Sequence, residues 1–438
     1  MRVALPIALQ SLIGSSLNLI DNLMVGRLGE TELAAVGVGI VPFQIFWMFM
    51  FGFMGGTATF MSQFWGAGDV ANIRKTLGFA ISVCMGVGVV FFVAGMFFPG
   101  HIVNIFTNLE RVKPLATEYV RIGSFCFLFL SVTVPFTFCL RSTQQTKIPL
   151  YTSAFAMCMN TFLNYVLIFG NFGAPKLGVA GAALATAIAR ALEMLLVLFI
   201  VFYKKNIIAG RIGEYFKATK EFIIRLLNNA VPTTINETLW GLGAAMCTAA
   251  YARMSETEFA AIQAGRVIEN LFYMAAFSIG DAALILVGQR LGAKELDYGY
   301  ALAKKLLKVS VFLGFVLGAA LIAVSRPIIG IFNFSPECKQ YMFYIIIICG
   351  VEMWLVLFNC AVVVGILRAG GDTKVAMLID CAGMWMIAVP AAFIATQLLH
   401  LPVYFVVLCV EMQEAIKFTF LFKRFTSKKW VKNVVHGL

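Results

Sequence analysis

Twelve apolar stretches, each long enough for the roughly 20 residues that a bilayer-crossing helix needs, run through this chain. They cover residues 3–24, 34–64, 74–98, 116–140, 148–170 and 178–203, then 229–252, 260–288, 306–325, 340–366, 375–396 and 400–422. Inside lipid every backbone N–H and C=O must find a partner within the protein, so only helices and closed barrels can span it. The alternating ten-residue strands of a barrel are absent. The pattern predicts an all-α membrane protein with twelve transmembrane helices. Composition agrees, with 13% charged residues and a mean hydropathy of +0.88, against roughly 25% charge in an average soluble domain.

The twelve segments are six segments written twice. Residues 27–36 read RLGETELAAV and residues 253–262 read RMSETEFAAI, six of ten positions identical at an offset of 226. Pro6 maps onto Pro232, Gln63 onto Gln289 and Gly66 onto Gly292, and after a one-residue slip Leu140-Arg141 maps onto Leu367-Arg368. A repeat this long is a duplicated fold, and in a membrane chain it points to a transporter. The expected organisation is a six-helix lobe over 1–203, an amphipathic linker over 204–228, a pseudo-symmetric second lobe over 229–422 and a basic tail over 423–438.

A net charge of +12 would suit a nucleic-acid partner if it formed one patch, but it does not. Lys and Arg collect in alternate loops (Arg74, Lys75; Arg141, Lys147; Arg290, Lys294; Arg368, Lys374), in the linker and in the tail. That alternation places both termini and the linker in the cytoplasm of a cell with a plasma (inner) membrane. Six spans per half is an even number, so the two lobes share one orientation. The linker segment EYFKATKEFIIRLLNN and the tail SKKWVKNVVHGL read as helices on the inner leaflet, with Trp430 as an interface anchor; a plain solvated connector explains the same charges.

Several chemistries find no support. The ten cysteines lie mostly within apolar spans without C-x-x-C spacing, and the three histidines form no ligand pair, so neither a metal centre nor redox chemistry is indicated. No G-x-x-x-x-G-K-[ST] loop is present to bind ATP. No nucleophile–base–metal constellation marks an enzyme, and no cofactor is expected beyond a coupling ion.

What remains are polar residues inside the spans, where an ionisable group needs a cavity, a counter-charge, a proton or a metal ion. Asp21 sits near the end of the first span, fifteen residues after Pro6; a carboxylate at the water boundary is the alternative reading. Asn160 and Asn164 lie four apart in span five, and Ala182 and Thr186 repeat that spacing in span six, so each pair shares a helix face. Two amides, a hydroxyl and a carboxylate could supply oxygen ligands to Na⁺, or the amides could serve helix packing alone. Glu237 in span seven, just past Pro232, is a second candidate coupling residue, and Asp380 and Glu352 also need partners. Glu193 with Arg190, Glu269 with Arg266, and Glu414 with Lys417 are spaced i, i+3 and read as ion pairs along single helices. Pro6 and Pro232 each remove a helix hydrogen bond and are candidate kinks.

The segments PIALQSLIGSSLNLIDNLMVGRLGETELAAVGVG, LGVAGAALATAIAR, VGQRLGA and GILRAGGDTK together resemble the multidrug and toxic compound extrusion (MATE) family, especially its bacterial NorM- and DinF-like members. The resemblance covers essentially the whole chain. It implies a V-shaped, two-lobed exporter that expels small organic cations in exchange for Na⁺ or H⁺ by alternating access, acting as a monomer in the bilayer. The family's first-lobe cation site falls on Asp21, Asn160, Asn164, Ala182 and Thr186. A second site in some members has its glutamate at Glu237, while its aspartate falls near Leu357 with Asn359 close by; Asp380 fits another subset of the family. Phe43, Trp47, Phe51, Trp240, Phe272 and Tyr273 are the expected aromatic lining for a lipophilic cation. A flippase for lipid-linked glycan precursors is the alternative function; the scarcity of mid-membrane cations argues against it.

Overall fold

The computed structural model describes residues 4–332 and 334–437, and no strand occurs among them. Twelve principal helices follow one another: α1 (Ala4–Gly26), α2 (Glu30–Gly39 and Val41–Gly66), α3 (Val70–Phe97), α4 (Val112–Gly123 and Phe125–Ser142), α5 (Lys147–Phe169) and α6 (Val179–Tyr203). After them come α7 (Lys220–Tyr251), α8 (Glu256–Gly292), α9 (Leu296–Ile331), α10 (Pro336–Leu367), α11 (Thr373–Leu398) and α12 (Val403–Thr426). Among the described residues nine helices are long and apolar enough to cross a membrane. Two that fall outside that group, α7 and α12, carry the polar run PTTINET (232–238) and the charges Glu411, Glu414 and Lys417; these are the groups of the site described below.

The duplicated decapeptide is a helix start. In its second copy the Ser255 hydroxyl accepts from the Glu258 amide (3.3 Å) and the Glu258 carboxylate accepts from the Ser255 amide (3.2 Å), a reciprocal cap of about 1 kcal/mol that fixes where α8 begins. In the first copy Gly29 holds the corresponding place before α2. Pro42, just past the break in α2, has no N–H for the carbonyl four residues earlier.

The chain divides into two compact units, one formed by Met1–Met61 with Asp69–Ile224, the other by Ser62–Gly68 with Arg225–Leu438. In the first unit α1 packs on α5, α5 on α6 and α3 on α4, around a core that includes Val25, Val36, Ile168 and Ala183. In the second unit α10 packs against α8, α9 and α12, over a core including Ile262, Met342, Met353, Leu357 and Val406. The end of α2, expected in the first lobe, belongs to the second unit. A Cβ on Gly66 would stand 1.8 Å from the Gln289 carbonyl oxygen, and one on Gly292 would stand 1.9 Å from that of Gln63. Within the second unit the two repeat-related glycines thus let residues 62–66 lie backbone to backbone against the end of α8.

Two sequence expectations change. The linker forms no long amphipathic helix of its own, only the single turn Ile212–Tyr215. Residues 220–229 have no breaker and simply begin α7, started by the Thr219 hydroxyl accepting from the Phe222 amide (3.3 Å), while the earlier part folds onto the first unit through Arg74, which pairs with Glu214 (2.6 Å) and donates to the Ile207 carbonyl (2.9 Å). Trp430 is no interface anchor. Its side chain is fully buried, stacks on Phe425 at 5.9 Å and donates from Nε1 to the Phe425 carbonyl (3.0 Å). Pro6 lies in the first described turn of α1, and the carbonyl four residues before it, on Arg2, lies outside the described residues, as does the kink expected there. Pro232 lies inside the unbroken α7. Nearby, the Thr233 and Thr234 hydroxyls bond the Ala230 carbonyl (2.8 and 2.7 Å), the kind of local compensation that lets a membrane helix hold a proline.

Candidate functional site

The first unit gathers the five residues on which the family resemblance places a cation site. Asn160 and Asn164, both buried, project from one face of α5. The Asn164 Nδ2 donates to the Asp21 carboxylate from α1 and to the Asn160 Oδ1 (3.0 Å). Asn160 in turn donates to the Thr186 Oγ1 of α6 (3.1 Å), whose hydroxyl donates to the Ala182 carbonyl (3.0 Å). Because Nδ2 carries both donations, the amide orientation of Asn164 is fixed by its partners. Its Oδ1 is buried without a donor. Three helices therefore converge on a row of oxygens, one of them charged, with an acceptor to spare.

A second polar chain lies along the same helices. Arg141 on α4 donates to the Gln10 Oε1 (3.1 and 2.7 Å), Gln10 to the Ser153 Oγ (2.9 Å), and Ser153 to Glu193 (2.8 Å), which pairs with Arg190 (2.8 Å). The Arg190–Glu193 pair read along α6 is thus present and also tied to three other helices.

The second unit repeats this chain with two acids added, Glu237 at the position of Ser11 and Asp380 at that of Ser153. Arg368, at the position of Arg141, pairs with Glu237 beside the Gln10 equivalent Asn236. Asn236 donates to Asp380 (3.2 Å), which occupies the Ser153 position and accepts from Lys417 (3.1 Å); Lys417 also pairs with Glu414. Where α6 has cation then anion, α12 has anion then cation. Glu237 and Asp380 are therefore not lone acids. Each is held by a buried cation on another helix, which supplies the partner an intramembrane carboxylate requires. Asn359 sits apart from both, donating from Nδ2 to the carbonyl (2.8 Å) and carboxylate (2.7 Å) of Glu414.

All three line a cavity of about 330 Å³ within the second unit, together with Trp240, Arg266, Glu269, Tyr273, Glu411 and Gln413. Of the six aromatics expected around a substrate, Trp240 and Tyr273 are in this wall. Phe272 packs on the core of the second unit, and Phe43 and Phe51 are engaged in the first unit, Phe43 stacked on Phe127 at 4.7 Å and Phe51 edge-on to Phe138 at 6.4 Å. Trp47 is half exposed. Sequence reading missed Glu411 entirely and assigned Glu269 to Arg266. The Arg266 guanidinium donates to the Thr248 hydroxyl (2.8 Å), lies over the Tyr251 ring at 4.9 Å and faces Glu269 with its charge, while Glu269 also groups with Cys349 and Glu352. Two π-helical turns, Ala361–Leu367 and Gly383–Ala388, flank the cavity on α10 and α11. Such turns recur at functional sites because they re-aim the side chains that follow; here the first leads directly into Arg368.

Comparison with known proteins places these arrangements among transporters. The MatE family model matches residues 6–166 and 232–394, one match in each repeat. The chain is similar to the probable multidrug resistance protein YoeA of Bacillus subtilis, 27% identical over 396 residues, which cover 89% of this chain and 84% of that protein. It is also similar to the probable multidrug resistance protein NorM of Thermotoga maritima, 24% identical over 444 residues, covering 99% and 93%. Two solved structures share its fold. One is an outward-facing multidrug resistance MATE family transporter of the MOP superfamily, the other a MOP superfamily transporter from Pyrococcus furiosus, each with TM-score 0.88, 16% identity and coverage of 98% of this chain and 95% of that one.

Proposed function

Because the chain belongs to the MatE family, the multidrug and toxic compound extrusion transporters, we propose that it is a secondary antiporter exporting small organic cations in exchange for Na⁺ or H⁺. The observation that carries this reading is the link from Asp21 through Asn164 and Asn160 to Thr186. A carboxylate held mainly by one amide, next to a buried amide oxygen that lacks a donor, changes its bonding when it is neutralised. Na⁺ would take the Asp21 carboxylate with the Asn160 and Asn164 carbonyl oxygens and the oxygens of Ala182 and Thr186 as ligands. A proton would instead make Asp21 a donor to the free Asn164 Oδ1. Either event replaces the bond by which Asp21 ties its end of α1 to α5. If the organic cation binds the two arrangements of α1 with different affinity, the ion gradient drives its export.

The protein would act as a monomer in the plasma membrane, with both termini cytoplasmic and no catalytic step. The test is transport by purified protein in liposomes with an imposed Na⁺ gradient, an imposed pH gradient, or neither, read with a fluorescent lipophilic cation. Uphill movement under one gradient, absent without it, is the expected result and identifies the coupling ion. Movement that ignores both gradients would refute antiport.

A further inference from the structure

The tail after α12 is held in part by a residue far from it in sequence. Gln63, near the end of α2, is fully buried. Its Nε2 donates to the carbonyls of Ala369 (2.8 Å) and Lys432 (3.1 Å), and its Oε1 accepts from the Val434 amide (2.8 Å). The last of these fixes which way the amide points, and two of the three bonds come from the tail. Between those two tail residues, Asn433 donates to the carbonyls of Leu291 and Gly292 (2.9 and 3.1 Å). Gly292 is where the Gln63 backbone meets the end of α8, and Gly371 leaves the space that Val434 fills, since a Cβ there would stand 2.6 Å from Val434 Cγ1. Both the end of α8 and the tail therefore grip residues 62–66.

The gripped residues are the part of α2 that changes units. The helix runs on from Val41 to Gly66, yet it belongs to the first unit up to Met61 and to the second from Ser62. A movement that carries α2 with the first unit must part residues 62–68 from their partners in the second. Backbone packed on backbone leaves no side chain to take up slack, so that fit is made or lost as a whole. Gln63 leaves its tail partners at the same step. The tail is suited to give way there, because residues 427–437 form no helix and leave α12 through Lys428 at φ +56°, a strained backbone for a residue with a Cβ. A tail that only capped the second unit could do so through Trp430 and Asn433; the bonds to Gln63 add α2.

We infer that residues 430–435 are a latch, which holds residues 62–68 in the second unit when seated and opens when they leave it. The inference rests on the antiport reading above only for its place in the cycle, where opening and closing accompany each exchange. Seating of the tail and seating of residues 62–68 favour each other, and linkage makes that coupling reciprocal.

A disulfide between Ser62→Cys and Gly288→Cys reads the position of residues 62–68, because a Cβ on Gly288 would stand 3.0 Å from the Ser62 Cβ, within about half an ångström of the range that disulfides span. The full-length protein in liposomes, treated with a mild oxidant and followed by peptide mass spectrometry, should form this bond at least tenfold more slowly when Trp430→Ala is added or residues 430–438 are removed. In return, the closed disulfide should slow trypsin cleavage after Lys432 at least threefold relative to the same protein reduced. Should the cysteine pair not fold, hydrogen–deuterium exchange over residues 62–68 carries the comparison and should be faster in both tail variants than in the wild type. Bond formation or exchange at the wild-type rate in both tail variants overturns the inference, and so does tail cleavage that the disulfide leaves unchanged. Neither readout uses an ion gradient or an organic cation, so failure here leaves the antiport reading standing, and failure of antiport leaves the latch standing.

Discussion

Replacing Trp430 with alanine should release the end of the chain while leaving the helices folded. The indole is fully buried, stacked on Phe425 and tilted against Tyr300 at 6.3 Å. Its carbonyl oxygen lies so close to Gly370 that a Cβ there would stand 1.8 Å away. Beyond it, Gln63 donates to the Lys432 carbonyl (3.1 Å) and accepts from the Val434 amide (2.8 Å), and Asn433 donates to the carbonyls of Leu291 and Gly292 (2.9 and 3.1 Å). Truncating a buried aromatic costs about 3–5 kcal/mol, and the lost indole bond adds about 1 kcal/mol. Because the segment is terminal, the cost falls on local detachment rather than on global unfolding. A change of about 4 kcal/mol raises the detached population by roughly three orders of magnitude. Trypsin can then reach Lys428, Lys429 and Lys432, so limited proteolysis with mass spectrometry should show the tail cleaved far faster in Trp430→Ala, with Trp430→Phe in between. Equal cleavage in wild type and Trp430→Ala would refute the buried-anchor account.

Gly66→Ala and Gly292→Ala should each lower the thermal stability of the detergent-purified protein sharply, by several kcal/mol, because the added methyl meets backbone that cannot swing aside; the flanking Gly68→Ala, with nothing within 4 Å of its Cβ but a φ of +74°, should cost only about 1–2 kcal/mol. Arg368→Met should destabilise by about 3–5 kcal/mol by stranding Glu237, and the double variant Arg368→Met/Glu237→Leu should recover much of that loss; a double variant no better than the single one would show that the pair is not the source. Asn164→Ala should remove ion dependence of transport without loss of folded protein, since it deletes both the donor to Asp21 and the spare acceptor; full ion dependence in that variant would place the site elsewhere.

The helical framework was legible because the apolar spans and the repeat both act over tens of residues. Twelve segments predicted twelve helices. The first-unit site was legible for a related reason. Asn160 and Asn164 are on one helix face by spacing alone, the family resemblance joined them to Asp21, and the fold supplied the hydrogen bond that links them. The second unit was harder, because an i, i+3 acid and base on one helix look self-sufficient. Glu269 and Glu414 were accounted for in that way, yet their neighbours Glu352 and Asn359 come from α10, and no spacing rule on α8 or α12 reports that. One available signal was the inverted order of Arg190–Glu193 and Glu414–Lys417 in the aligned repeats. Trp430 was misread for a simpler reason: an aromatic among lysines near a chain end has the composition of a membrane anchor, and only the groove beside Gly370 explains its burial.

Ion movement evoked by an organic cation tests the central claim most directly. Wild-type protein and Asp21→Asn, reconstituted at equal density, would be loaded with Na⁺ or a pH dye and exposed to the cation without any imposed gradient. The wild type should release the coupling ion in the opposite direction to cation uptake, and Asp21→Asn should release none while still eluting as folded protein. Asp21→Asn exchanging at the wild-type rate would contradict the assignment of coupling to the Asp21, Asn164 and Asn160 site.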